Sequence, residues 1–229
     1  MARAIRPCFY ATSEIPYIKS QNVEFEYFSG FARSQKEKSI KSFLNSAKIS
    51  LKSDKVLEIS KASPMDLGRN LSAFNLNLTL INDRGEAISA SVERFFQGSK
   101  VFEHGGPYHE IIYDRSIHPK KYHKLKSSGI FVGFELFGKA YATEPKTYFY
   151  DWLYLNALLQ NQLLGEQVVE FEYFSDIEFN PKKSFSSQSK SVALYSAMKK
   201  YGLFEENFKS PEAFLKFMRK IHGVNSLFG

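Results

Sequence analysis

Ser91-Val-Glu-Arg-Phe-Phe-Gln-Gly-Ser-Lys100 is the stretch from which the rest of the chain is read. Carried on to Phe102, it reads as a buried helix. Gly105-Gly106-Pro107 stops it, since glycine favours a helix exit and proline cannot continue one. On such a helix Glu93, Gln97 and Lys100 fall at i, i+4 and i+7, within about 60° of one another. Val92, Phe95, Phe96 and Phe102 take up much of the remaining surface. A polar line bounded by aromatics suits a helix with one strip facing a cavity. Periodicity alone favours the plainer alternative, a strip facing solvent.

Outward from this segment the chain alternates short strands with helices. Val23-Glu-Phe-Glu-Tyr-Phe-Ser29 recurs as Val169-Glu-Phe-Glu-Tyr-Phe-Ser175, each reading as a strand with Val, Phe and Tyr on one face and glutamates on the other. Their flanks diverge at once, which argues for two similar half-buried strands, not a duplicated domain. Ser34 to Lys48 is an amphipathic helix with Ile40, Phe43, Leu44 and Ala47 inward and a basic outer face. Leu51 to Ser60 reads as a short strand, and Ser63-Pro64 opens a turn or helix. Apolar residues at 74, 76, 78 and 80 make Leu71 to Ile81 a strand, closed by the turn Asn82-Asp-Arg-Gly85.

Downstream come a Lys-rich helical segment, His118 to Lys126, and a strand, Gly129 to Gly138. Thr147 to Leu164 reads as one long apolar helix closed by Gly165. Two more helices follow, Ser189 to Tyr201 and Pro211 to His222, the latter with proline at a helix-start position. The pattern predicts one α+β domain in which helices outweigh strands. Residues 1–60 form a strand-helix extension, 61–201 the core and 202–229 a C-terminal helix.

At 229 residues the chain can bury a core without staples. With 43% hydrophobic and 24% charged residues it does not read as disordered. Cys8 is the single cysteine, which excludes an intrachain disulfide framework and a cysteine-rich metal site. His104, His109, His118, His123 and His222 have no zinc-type spacing, and no P-loop or G-x-G-x-x-G occurs, so neither metal nor separate cofactor is expected. No apolar run reaches the roughly 18 residues of a membrane span. Met1 to Tyr10 does not read as a secretory signal, and a cytoplasmic location is expected. A formal charge of +7 favours encounters with polyanions, nucleic acid above all, although it serves ordinary solubility too. Lys120, Lys121, Lys124 and Lys126 form a basic stretch that could track a strand of nucleic acid. The 22 Phe and 13 Tyr suit a core or base-stacking pockets equally.

The opening segment resembles the signature of the NADAR superfamily, in which a small and an apolar residue precede Glu, followed by aromatics, Gln and Lys-Phe. That family has a Leu-Ser-Asn-Phe element upstream, matched here by Leu71-Ser72-Ala73-Phe74 with Ala73 replacing Asn. It also has a helix ending in a Gln-Asn element, matched by Leu158-Leu-Gln-Asn-Gln-Leu-Leu164, and then a strand and an Asp, matched by Val169 to Phe174 and Asp176. The ordered match runs from about Leu71 to Met198. One branch is resembled most, the antitoxins encoded beside guanine-specific DNA ADP-ribosyltransferase toxins of the DarT class. The features that carry this are Gln97 to Tyr108, Phe149 to Tyr154, Phe174 to Lys183 and Gly30 to Lys36. The chain departs from the pattern at Arg94, where the family has His, at the position of Trp152, and in the turns Asp176-Ile-Glu-Phe179 and Ser187-Gln-Ser-Lys190.

The resemblance implies a NADAR-like fold and an N-glycosidase that removes ADP-ribose from guanine in DNA, with RNA or a nucleoside as further candidate substrates. A cognate toxin would be its partner, with no membrane involved and water the only co-reactant. Breaking an N-glycosidic bond requires protonation of the departing nitrogen and stabilisation of the anomeric cation. A carboxylic acid beside aromatics suits the first task, because desolvation raises its pKa. The resemblance gives that role to Glu93. Lys100 would either attack C1 as a neutral amine or hold the diphosphate as a point charge. Asp176 would orient ribose hydroxyls or shuttle a proton. Tyr150 and Trp152 would wall the base, and Ser72 and Phe74 the adenosine side. Gln97, Tyr108, Asp151 and Asn161 complete the expected binding set. Two alternatives stand beside this one: an N-glycosidase for ribosylamine intermediates of riboflavin synthesis, and a non-catalytic module that sequesters ADP-ribosylated partners or the toxin.

Overall fold

The computed structural model describes residues 2–30, 32–180 and 184–223. Phe31, Pro181–Lys183 and the end of the expected C-terminal segment lie outside the described residues. Strands β1 (Ala2–Ala11) and β2 (Ile18–Tyr27) pair antiparallel over ten residues. Helix α1 (Arg33–Leu51) covers one face of this ribbon, burying Ile40, Phe43 and Ala47 against Val23 and Phe25. Strand β3 (Val56–Glu58) belongs to the same sheet, whose order is β2-β1-β9-β3. Its remaining member, β9 (Tyr173–Ser175), runs antiparallel to β1 and parallel to β3.

Helix α2 (Asp66–Asn70) leads into a turn, not into the long strand expected from Leu71 onward. The amide of Asn75 and that of Leu76 both donate to the Ser72 carbonyl, so the backbone is folded until β4 begins. A hairpin follows, β4 (Asn77–Ile81) and β5 (Ala87–Ser91), with the Asn82 side chain accepting from the Arg84 and Glu86 amides at the expected turn. Helix α3 (Val92–Gly98) is shorter than the sequence suggested; Lys100 to Phe102 form a strand, β6. After the short α4 (Glu110–Tyr113) and α5 (Lys124–Ser127), β6 pairs with β7 (Phe131–Leu136), and β7 with β8 (Lys139–Tyr141). The Lys-rich segment is helical only in α5.

Helix α6 (Tyr148–Gln160) is buried on nearly all sides, as an all-round apolar helix must be. The single long helix expected here breaks at Asn161, whose side-chain amide donates to the Asn77 and Ala157 carbonyls; α7 (Gln162–Val168) starts afresh. Gly165 does not close the helix but lies inside α7, where a Cβ would come within 2.2 Å of the Tyr195 hydroxyl. Helix α8 (Gln188–Lys200) carries Tyr195 and packs on α6, β1 and β9. The short α9 (Phe204–Asn207) precedes α10 (Pro211–Ile221), where Ser210 caps the Ala213 amide and proline occupies the first turn. This is an α+β domain with the helical excess the sequence predicts. Among the described residues no helix is long and apolar enough to cross a membrane.

Candidate active site

A cavity of about 270 Å3 opens where the start of α3, the turn before β4, α6 and the end of β9 converge. Glu93, in the first turn of α3, is only 3% exposed. Its backbone amide donates to the Ala73 carbonyl, which fixes α3 on the Ser72–Phe74 turn. Gln97, one helical turn on, donates through Nε2 to Glu93 Oε1 at 2.7 Å. The other carboxylate oxygen lies 3.5 Å from Lys120 Nζ. Lys120 and Lys61 both stand over the Phe74 ring, at 5.0 and 5.2 Å from its centre. An aromatic face with two ammonium groups above it is a favourable setting for a phosphate-bearing ligand.

Asp176 follows β9 directly and lines the same cavity. Its Oδ1 accepts from the Glu178 amide and its Oδ2 from Gln188 Nε2 at 2.9 Å. Burial raises its pKa to about 6, more than these hydrogen bonds lower it. Behind it Glu58, 1% exposed on β3, is pushed up to about 8 by burial and then by the Asp176 charge. Gln188 ties the region together: its Nε2 also donates to the Ile59 carbonyl, and its Oε1 accepts from the Ala73 amide. Backbone groups thus make the contacts at Ala73, whose own side chain is buried.

Lys100 stands on the neighbouring cavity, with Nζ 4.9 Å from the centre of the Phe96 ring. Burial lowers its pKa, the Glu93 charge opposes that, and Lys120 adds to it. The reading that placed Lys100 on the helical strip of Glu93 and Gln97 is corrected. The helix ends at Gly98, and β6 carries Lys100 on a path set by pairing with Phe134. Gly106, expected to stop the helix, instead lets the following turn lie on β6. It has φ +92°, and a Cβ there would come 2.3 Å from the Lys100 carbonyl oxygen.

Ser72, Phe74, Glu93, Tyr150 and Asp176 therefore share one cavity, with Gln97 supporting it and Lys100 next to it. Burial, then the negative Glu93, holds the Tyr150 hydroxyl well above its ordinary pKa. Four expected binding residues lie elsewhere. Trp152 packs on Phe208 and Phe214, because its face of α6 meets the C-terminal helices. Asp151 is buried against Ser191 of α8. Tyr108 bonds Ser128 and stacks near Phe102 and Tyr122, and Asn161 is occupied with the helix break. Lys61 and Gln188 were not singled out from the sequence, and Lys120 was read as part of a surface patch. Within the Lys120–Lys126 stretch two lysines have carboxylate partners: Lys120 meets Glu93, while Lys124 meets Glu110. No local spacing could have revealed a pair 27 residues apart.

The departure at Arg94 has a structural reason. One guanidinium nitrogen donates to the carbonyls of Ile111 and Asp114, and the other to those of Arg115 and Ile117. Arg94 thereby fastens the loop that delivers Lys120 to its neighbour Glu93.

The family model described as DarT1-associated NADAR antitoxin matches residues 4–226. No curated protein matches the chain. Spanning nearly its whole length, the family match is decisive: the chain belongs to the DarT1-associated NADAR antitoxin family.

Proposed function

From that membership, which implies a toxin as partner, we propose that this antitoxin is an N-glycosidase that removes ADP-ribose from guanine in DNA. The observation that carries the reading is a buried Glu93, held at one oxygen by Gln97 and at the other by Lys120. It shares its cavity with Asp176, whose pKa burial lifts to about 6, within reach of neutrality. The ion pair with Lys120 fits Glu93 to stabilising positive charge at the anomeric carbon. Asp176, raised to about 6 by burial, is assigned as proton donor to the departing guanine nitrogen.

Between the two readings of Lys100, its lowered pKa favours the nucleophile. Its free amine bonds to C1 as the bond from C1 to guanine breaks and the guanine nitrogen takes the proton from Asp176. Loss of a proton from the new amine and opening of the sugar ring give an imine. Water adds to that imine at C1, the lysine leaves as the amine, and ADP-ribose is released. Lys61 and Lys120, above the Phe74 ring, are placed for the diphosphate.

The test is incubation with an ADP-ribosylated guanine oligonucleotide and mass detection of free ADP-ribose. Glu93→Gln is expected to lower the rate by about 10²- to 10³-fold, as for loss of one electrostatic stabiliser, and to leave cells unprotected from the toxin. Borohydride should trap an ADP-ribosyl adduct on the wild type and none on Lys100→Arg. Full protection by Glu93→Gln would instead identify a sequestering module. Release from a ribosylamine of riboflavin synthesis but not from DNA would reassign the substrate.

A further inference from the structure

Beside the cavity of Glu93 lies a second, of about 530 Å3, whose walls are rings: Phe96, Phe102, Phe131, Phe134 and Phe185. The two cavities share a border. Ser184 and Ser186 line both, and the Phe96 ring of one meets the Tyr150 ring of the other edge-on at 5.0 Å. Lys100 sits on that border, over Phe96. Two of the rings are open to solvent, Phe131 at 38% and Phe185 at 65%, with Val132 beside them at 53%. Clustered open apolar surface of this kind marks an interaction site.

Charge narrows the choice of occupant. Lys100 and Lys146 line the cleft, and Lys146 Nζ lies 4.0 Å from the centre of the Phe185 ring. Lys126 follows Leu125, another lining residue. Glu144 is the one carboxylate among the described lining residues. Rings with lysines around them are how proteins hold single-stranded nucleic acid: every base offers a π-face, and the cations answer the phosphates.

We propose that this cleft is the base-side subsite of the enzyme, taking the nucleobases of a single-stranded nucleic acid while the ribose lies on the Glu93 side. The guanine stacks at Phe96 and a flanking base at Phe131 and Phe185. Which base departs rests on the N-glycosidase reading; the stacking does not. The arrangement places Lys100 where sugar and base part.

The experiment uses two probes, a fluorescein-labelled, unmodified, guanine-containing DNA single strand and free ADP-ribose. Against the wild type, Phe131→Ser and Phe185→Ser are each expected to weaken oligonucleotide binding by at least about 5-fold. Affinity for ADP-ribose should hold in both, and the melting temperature in Phe185→Ser; Phe131→Ser, which also loses ring contacts with Phe102 and Phe134, is assayed well below its own melting temperature. Equal oligonucleotide affinity in wild type and variants, or no binding by the wild type, overturns the proposal. So does a matching loss for ADP-ribose. If the wild type releases no ADP-ribose from a modified strand and the variants still lose oligonucleotide binding, the chemistry falls and the base-binding cleft stands.

Discussion

The same seven residues, Val-Glu-Phe-Glu-Tyr-Phe-Ser, occupy positions 23–29 and 169–175, and the molecule buries different members of them. In the first copy Val23 and Phe25 are buried and Ser29 is exposed. In the second, Val169 is 46% exposed, whereas Phe174 and Ser175 are fully buried. The first copy lies largely in β2, an edge strand with α1 on one face, so alternation decides which side faces inward. The second begins by finishing the turn after α7, with the Glu170 and Phe171 amides bonding back to Gln167 and Val168. Only its last three residues form a strand, held between β1 and β3 with a core on each side. Identical local preference yields different structure because tertiary context chooses the register.

The sharpest way to test this contrast is at the sixth position of the two copies. Phe174→Ala should cost about 3–5 kcal/mol by chemical denaturation, the range for emptying a fully buried aromatic site. Phe28→Ala, at a half-buried position, should cost about 1 kcal/mol. Similar losses at both would mean that the second copy is not held between two cores.

A pH effect should distinguish the second copy next. Its strand lies beside Glu58, which pairs in register with Ser175. In the folded chain this carboxyl sits at about 8 against an ordinary 4.5, so folding takes up a proton. Its contribution is fully present below about pH 4.5 and is lost as pH rises toward 8. At about 1.4 kcal/mol per pH unit, the wild type should lose about 3 kcal/mol more than Glu58→Gln between pH 5 and 8. Parallel pH curves for the two proteins would show that Glu58 carries no such burden.

The smallest contrast is at the first position. Val23→Ala should cost about 1–2 kcal/mol and Val169→Ala under about 0.5 kcal/mol, read from denaturation midpoints. Equal effects would erase the difference in facing that the two copies display.

What the sequence made legible follows the same division. Periodicity located β2, α1 and α10, because each has one covered side and one wet side; α8 was legible as a helix although it is buried almost all round. It could not place the break at Asn161, which depends on the Asn77 carbonyl 84 residues away. At the candidate site, Glu93 and Gln97 were readable as an i, i+4 pair on a helix. Lys100 was readable as a residue but not in its setting, since a strand pairing with Phe134 carries it. Gln188 and Lys120 arrive from distant segments, and their contacts with Ala73, Asp176 and Glu93 leave no trace in local spacing.

The four-carbonyl clasp at Arg94 has a consequence for when this protein can work. A guanidinium stays protonated at any acidity a living cell tolerates, whereas an imidazole sheds its proton within that span. With arginine as the latch, the lysine-bearing loop keeps its station whether the surroundings drift sour or alkaline. The hold of this joint on the loop therefore does not turn on a proton.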